Sequence, residues 1–399
     1  MASPFGLSAE QAAMRDMASS FAREEIAPHA LEWDREKHFP IETLRAAASL
    51  GMAAMNVRED FGGTGLSRLD SVILFEALAT GCPSIAAYLS VHNMCAWMVD
   101  AYGSDSHRRS WLPALASMKV LSSYCLSEPG SGSDAAALRT RAERRGEVFI
   151  VNGEKQFISG AGAGGKEHLY IVMVRTGDGA HAGVSAILVD GAAQGLRLGA
   201  LERKMGWNAQ PTRAVCFENC RVPVENLLGR EGQGFGIAMA ALDGGRLNIG
   251  ACSLGGGRSA LDKTLRYLDE RRAFGRKLNS FQALQFRIAD MATDLEAARA
   301  LLWRAASALD ARAAEARTLC AMAKRVATDA GFSAANEALQ LHGGYGYLCD
   351  YGIEKIVRDL RVHQILEGAN EIMRIIIARE TMGLSRKKET GVALREAGE

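Results

Sequence analysis

The chain has 399 residues, with 47 basic and 46 acidic side chains and a formal charge of +1 at pH 7. A balance that even excludes a protein built to hold nucleic acid or an anionic membrane by electrostatics. No run approaches the roughly 18 apolar residues that a membrane-crossing helix needs. At 48% apolar and 23% charged residues, the composition is that of a globular protein of two or three domains, with no need of a metal or disulfide staple.

The N-terminus lacks a basic start and an apolar core. It carries Glu10, Asp16, Glu24 and Glu25, unlike an acid-poor transit peptide. The expectation is a soluble cytoplasmic protein, or a mitochondrial matrix protein if the chain is a processed eukaryotic one. Eight cysteines are scattered without a CxxC pair. His342 and His363 fall in different segments with no carboxylate cluster at ligand spacing, so no metal site is expected.

Residues 1–122 read as all-α. Ser8 with Gln11 has capping-box spacing ahead of the stripe Met14, Met17 and Phe21, and Pro28 ends that helix. Ile41–Leu50, Leu69–Ala79 and Ile85–Tyr102 follow as helices. Over 123–232 the apolar period changes from 3.6 to 2. Val148–Val151 and Lys155–Ser159 flank Asn152-Gly153, which predicts a hairpin. Leu169–Val174, Val184–Asp190, Leu196–Leu198 and Ala214–Phe217 read as further strands. Over 233–384 four long helices are expected: Gly236–Glu270, Phe281–Leu309, Ala313–Leu341 and Tyr351–Met382. Residues 385–399 form a polar tail. The order predicts a mainly α, α+β multidomain fold: an N-terminal helical domain, a small middle β-barrel or sandwich, and a C-terminal four-helix bundle.

Gly160-Ala161-Gly162-Ala163-Gly164-Gly165 matches GxGxxG. That fingerprint needs a helix after it, and here another strand follows, so a Rossmann-type nicotinamide site is rejected in favour of a β-turn.

Three blocks stand out. Tyr124-Cys125-Leu126-Ser127-Glu128-Pro129-Gly130-Ser131-Gly132-Ser133-Asp134 is rich in small hydroxyls and backbone donors, suited to an anion or a cofactor carbonyl, or to a solvated turn. Gln340-Leu341-His342-Gly343-Gly344-Tyr345-Gly346-Tyr347 ends a long helix on adjacent glycines. In His363-Gln364-Ile365-Leu366-Glu367-Gly368-Ala369-Asn370-Glu371-Ile372-Met373-Arg374, a Glu-Gly pair interrupts the periodicity of a helical zone.

Together these blocks resemble the acyl-CoA dehydrogenase family over nearly the whole chain. Phe157-Ile158-Ser159, Met205-Gly206-Trp207, Cys220-Arg221-Val222-Pro223, Asp243-Gly244-Gly245-Arg246 and Arg271-Arg272-Ala273-Phe274-Gly275 extend the match in the same order. Leu366-Glu367-Gly368-Ala369-Asn370-Glu371 looks most like the members that act on isobutyryl-CoA.

The resemblance implies FAD as cofactor, and α,β-dehydrogenation of an acyl-CoA with Glu367 as the α-proton base. Burial should raise the pKa of such a base. It places Tyr124, Cys125, Leu126, Ser127, Gly132, Ser133, Phe157, Ile158 and Ser159 beside the flavin. Arg271, Phe281, Gln282, Gln340, Leu341, His342, Gly343 and Gly344 would reach the flavin of a neighbouring subunit, and Ala369, Asn370 and Glu371 its adenosine end. Ala369 stands where Ser or Thr is usual. Ser133, Asp243, Gly244, Gly245, Arg246 and Arg379 match substrate-side positions. Trp207 is either a core anchor or a pocket wall. A flavin shared between subunits implies an oligomer, by family norm a homotetramer. The electron acceptor would be electron-transfer flavoprotein, and isobutyryl-CoA as substrate would place the enzyme in valine breakdown. Competing readings are a dehydrogenase for 2-methylbutyryl-CoA or butyryl-CoA, an acyl-CoA oxidase, a related flavin monooxygenase, and a silent binding protein. The last three fit less well with a chain that ends soon after the bundle and keeps Glu367.

Overall fold

A computed structural model describes residues 6–384. The polar tail expected over 385–399 lies outside the described residues.

The first third is helical: α1 (Ala9–Phe21), α2 (Ala30–Glu36), α3 (Ile41–Ser49), α4 (Arg68–Ala79), α5 (Pro83–Tyr102) and α6 (Asp105–Ala116). The Ser8–Gln11 capping box is present. The first helix continues past Phe21 through one π-helical turn, Ala22–Ile26, and ends ahead of Pro28 as expected; a new helix, α2, begins at Ala30, and sequence reading missed it together with α6.

The middle of the chain holds β1 (Leu121–Cys125), β2 (Arg141–Arg145), β3 (Val148–Ser159), β4 (His168–Arg175), β5 (Val184–Asp190), β6 (Leu196–Leu198), β7 (Thr212–Pro223) and β8 (Leu227–Leu228). They form one mixed sheet in the order β6-β7-β3-β2-β4-β5-β8, with β1 parallel to β4. Strand β4 explains why its run is apolar throughout, since both of its faces are covered. Leu169, Ile171 and Met173 pack with Met98 and Leu112 of the helices, whereas Tyr170, Val172 and Val174 pack with Phe149, Val215 and Phe217 of the sheet's other face.

The Asn152-Gly153 hairpin does not form. Residues 148–159 are one strand, paired along its length with β7 through bulges at Val151/Gly153 and Lys155/Ile158. Gly153 has φ 145°, not the turn geometry of a hairpin, and a Cβ there would lie 2.6 Å from Thr140 Cα. The glycine serves a close backbone approach instead. Gly160–Gly165 is a turn leading into β4, the strand expected there in place of the helix that a dinucleotide fingerprint needs.

The last part is α7 (Gly234–Glu270), a two-residue ribbon of β9 (Arg272–Ala273) and β10 (Arg276–Lys277), α8 (Gln282–Asp310), α9 (Ala316–Leu341), α10 (Ile353–Arg361) and α11 (Asn370–Thr381). The fourth bundle helix expected over Tyr351–Met382 is therefore two helices, broken at Val362–Ala369. Helix α7 runs through the centre, with Leu247, Ile249 and Leu254 buried against Phe75 and Leu78 of α4, Leu89 of α5 and Leu302 of α8. It approaches its neighbours closely: a Cβ on Gly255 would lie 2.2 Å from the Glu76 carbonyl, and one on Gly257 3.0 Å from Gly331 Cα. Among the described residues, no helix is long and apolar enough to cross a membrane, and no cluster of three His, Cys, Asp or Glu side chains could hold a metal ion.

Candidate active site

The break between α10 and α11 has a local cause. After one 3-10 turn at Val362–Gln364, Glu367 takes φ 54° and Gly368 φ 91°. Left-handed backbone is costly for a residue with a Cβ and persists only where its surroundings hold it. Two buried cations do so. Lys324 Nζ donates to the Gly368 carbonyl at 2.8 Å and to Asn370 Oδ1 at 2.9 Å. Arg246 Nε donates to the Glu367 carbonyl at 3.4 Å, while its NH1 pairs with Asp243 at 2.6 Å. Asn370 Nδ2 donates to Thr328 Oγ1 and Asp329 Oδ1, which anchors the start of α11 on α9.

Both cations bond the backbone of the kink rather than the Glu367 carboxylate. Glu367 Oε2 is buried without a hydrogen-bond partner. Burial pushes the Glu367 carboxyl up to about 7, against the opposing pull of Arg246 and Lys324. Its backbone N–H donates to no protein acceptor among the described residues. The carboxylate faces Gly245, where a Cβ would lie 2.6 Å from Oε2 and 3.2 Å from Met94 Sδ. On the adjacent residue, Gly244, a Cβ would lie 2.6 Å from Arg68 NH1, a guanidinium stacked 4.6 Å over Trp97. The consecutive glycines therefore make room for a side chain each, in a slot between α5 and α7.

Tyr124, at the end of β1, presents a second orphan, a buried hydroxyl with no partner. Burial, then the nearby Glu367 charge, raises its phenol well above the usual value. Ser123 Oγ donates to the Ser159 carbonyl at 2.7 Å and ties β1 to the end of β3. Phe157, with φ 60°, leaves its ring 67% exposed on that end. The 126–134 loop is braced by Glu128, whose carboxylate accepts from the N–H of Arg139 and Thr140 and from Lys155 Nζ at 2.7 Å. Ser127 lends its carbonyl to the Gln156 N–H, while the N–H groups of Gly132 and Ser133 have no protein acceptor among the described residues. Orphan polar groups beside an exposed aromatic and free loop donors fit a flat, polar-edged cofactor such as FAD.

The expected residues divide accordingly. Cys125 and Ile158 point into the β core, so they can touch a bound group only through backbone. Leu126 packs against the core where α5 and α6 meet the sheet. Asn370, expected at the adenosine end, has its amide committed to Lys324, Thr328 and Asp329, so its side chain anchors the kink; Glu371 and Ala369 flank it. Arg246 is 3% exposed, so it is not a surface charge. Arg379 is exposed on α11, twelve positions beyond Glu367 and separated from it by the break in the helix.

Arg271, Gln340, Leu341, His342, Gly343 and Gly344 do come together, around a surface cleft of about 490 Å³ shared with Tyr267 and Tyr345. His342 is held there by Ala338 O at 2.7 Å and a stacked Tyr267 ring. Phe281 packs under Arg276 next to Gln282, at the start of α8. This cleft is remote from Glu367. Arg271 lies 26 positions beyond Gly245 at the end of α7, roughly 39 Å at 1.5 Å per residue.

Trp207 is a core anchor: it is 5% exposed, its N–H bonds Asp359 and its indole bonds His363. Sequence reading missed Lys324, which sits in an alanine-rich helical run with only its charge to distinguish it.

Comparisons with known proteins identify the family. Three family profiles match: acyl-CoA dehydrogenase N-terminal domain over residues 8–119, middle domain over 123–220 and C-terminal domain over 232–382. The mitochondrial isobutyryl-CoA dehydrogenase of Bos taurus is 51% identical over 94% of this chain and 90% of its own length. That of Dictyostelium discoideum is 52% identical with the same coverage. The solved butyryl-CoA dehydrogenase of Megasphaera elsdenii superposes with a TM-score of 0.91 at 32% identity, covering 95% of this chain and 99% of that one. The chain belongs to the acyl-CoA dehydrogenase family, and is thus an FAD-dependent oxidoreductase.

Proposed function

We propose that this enzyme converts isobutyryl-CoA to methacrylyl-CoA, a step of valine breakdown, with Glu367 as the base. Bound FAD supplies the acceptor for the hydride that leaves the β-carbon. The observation that carries the reading is the unpartnered Glu367 Oε2, in a carboxyl held near 7 beside the Gly245 slot. A carboxylate with that pKa is ionised at slightly alkaline pH and basic enough to take the α-proton of a thioester. The free N–H of Glu367 can stabilise the negative charge that develops on the thioester oxygen as the proton leaves. Arg246 and Lys324 hold the peptide that carries both groups. Phe157, Ser159 and the 126–134 loop would hold the flavin ring. The cleft at Arg271 and Gln340–Gly344, with Phe281 and Gln282, would reach the flavin of a neighbouring subunit, which supports an obligate oligomer and the family's homotetramer. Electron-transfer flavoprotein would take the electrons onward.

The choice of isobutyryl-CoA rests on the two relatives at 51% and 52% identity. Anaerobic titration of the purified flavoprotein with isobutyryl-CoA and n-butyryl-CoA tests it through bleaching of the flavin absorbance. Selective bleaching by isobutyryl-CoA is expected. Fast bleaching by n-butyryl-CoA alone would overturn the branched-chain assignment, and no bleaching by any short acyl-CoA would overturn the reaction.

A further inference from the structure

A lysine in the middle of a helix bundle usually reaches solvent through its long stem. Lys324 does not: it is fully buried on α9, with its ammonium on the Gly368 carbonyl and Asn370 Oδ1. Burying an ammonium is expensive unless it is compensated. Among the described residues no carboxylate bonds this one directly; its partners are a main-chain carbonyl and an amide oxygen. A neutral hydrophobe would fill the space at less cost if packing were all that mattered.

The carbonyl it grips belongs to the residue after Glu367, in the left-handed kink that interrupts α10 and α11. We propose that Lys324 is a positioning residue for the α-proton base: by holding the Gly368 carbonyl it fixes the direction of the Glu367 side chain and N–H, and by its charge it sets the pH at which Glu367 becomes a base. This rests on Glu367 being the base, as proposed above.

Every element around the pair contributes a group. Helix α7 brings Arg246 with its partner Asp243, α9 brings Asp329, the 3-10 turn at Val362–Gln364 brings His363, which burial and the Lys324 charge keep below its usual value, α11 brings Glu371, α5 brings Cys95 and β1 brings Tyr124. Arg246 weighs more on the Glu367 charge than Lys324 does and is itself paired with Asp243 at 2.6 Å; Lys324 is the second cation, bound to the kink with no ion-pair partner in hydrogen-bond contact among the described residues. Burial brings its ammonium down to about 8, and Glu367 opposes that fall. It therefore stays largely charged where Glu367 ionises.

The test is the pH profile of kcat/KM in the holoenzyme for wild type, Lys324→Met, Lys324→Gln and Lys324→Arg, each with a thermal melt. The assay uses the acyl-CoA that wild type turns over, so a failure of the proposed function shows in wild type and a failure of this inference shows only in the variants. Removing a nearby cation raises a carboxyl pKa by on the order of one unit, so the acid limb should move up by about that much in Lys324→Met. Activity near pH 7 should fall by about five-fold from that shift, since the ionised fraction drops from about one half to about one eleventh, and further where the side chain is no longer held in place. Lys324→Gln keeps a donor for Gly368 and loses the charge; its limb should move as far, and it replaces the Met variant if that one does not fold. Lys324→Arg should return the limb toward the wild-type position. An acid limb that stays in place in the neutral variants while only melting temperature drops would overturn the inference. So would an arginine variant displaced as far as the neutral ones.

Discussion

Replacing Glu367 by Gln should make the substrate-free protein more stable, and the gain should depend on pH. The folded carboxyl titrates at about 7, against an ordinary 4.5, so the folded state binds its proton more tightly than the unfolded chain does. Stability from that proton is fully present below about pH 4.5 and is lost as pH rises through about 7. A shift of about 2.5 units corresponds to roughly 3 kcal/mol at 1.36 kcal/mol per unit. Glutamine keeps the shape and never ionises. The variant should therefore match wild type near pH 4, exceed it by about 1 kcal/mol near pH 5 and by up to about 3 kcal/mol near pH 8. For a chain of this length, at roughly one to two degrees per kcal/mol, that is a melting-temperature gap of about 3–6 °C. Paired melts of the substrate-free flavoprotein across that range measure it, and dehydrogenation by the variant should fall by about 10²–10⁴-fold. A stability gap that is constant with pH, or widest at acid pH, would refute the claim that Glu367 is a buried, unpartnered carboxyl.

Two further substitutions test the site from other sides. Gly245→Ala puts a methyl 2.6 Å from Glu367 Oε2, where the end of the side chain can swing aside; the protein should fold and hold flavin while kcat falls by about 10²-fold, as for a base displaced by an ångström, and unchanged kcat would show that the carboxylate works elsewhere. Phe157→Ala removes a ring that is 67% exposed, so the flavin-free protein should melt within a degree or so of wild type. Flavin retention, followed by release of absorbance on dilution, should weaken by roughly two- to ten-fold if the ring packs on the cofactor at about 0.5–1.5 kcal/mol.

The helix, sheet, helix order was legible because period and composition change together near residues 120 and 232. The Ser8–Gln11 cap was legible because its two bonds are local. What periodicity does not carry is the sign of a backbone angle. Asn152-Gly153 has the composition of a tight turn, yet Gly153 lies in the middle of one strand because Thr140 crowds it from β2's approach. The Glu367-Gly368 pair was visible as an interruption, but not as a left-handed kink that splits the last helix. Its supports, Lys324 and Arg246, lie 44 and 121 positions away, in runs whose own pattern is that of ordinary helices. Such residues acquire their role only through tertiary contact. For the same reason the Asn370 amide could not be told from a ligand group until its three partners were in place.

Helix α7 has a consequence for how the molecule comes together. Between positions 244 and 257 it holds six glycines: Gly244, Gly245, Gly250, Gly255, Gly256 and Gly257. At about 1 kcal/mol each relative to alanine, that stretch is roughly 6 kcal/mol short of a self-sustaining helix. Its order is imposed from outside, by α4, α8 and α9 closing on a backbone with little side-chain bulk between. The slot that faces Glu367 lies within this same stretch. A nascent or partly opened chain consequently has no half-built catalytic slot to misuse: the surroundings of the base form only when α4, α8 and α9 close around α7.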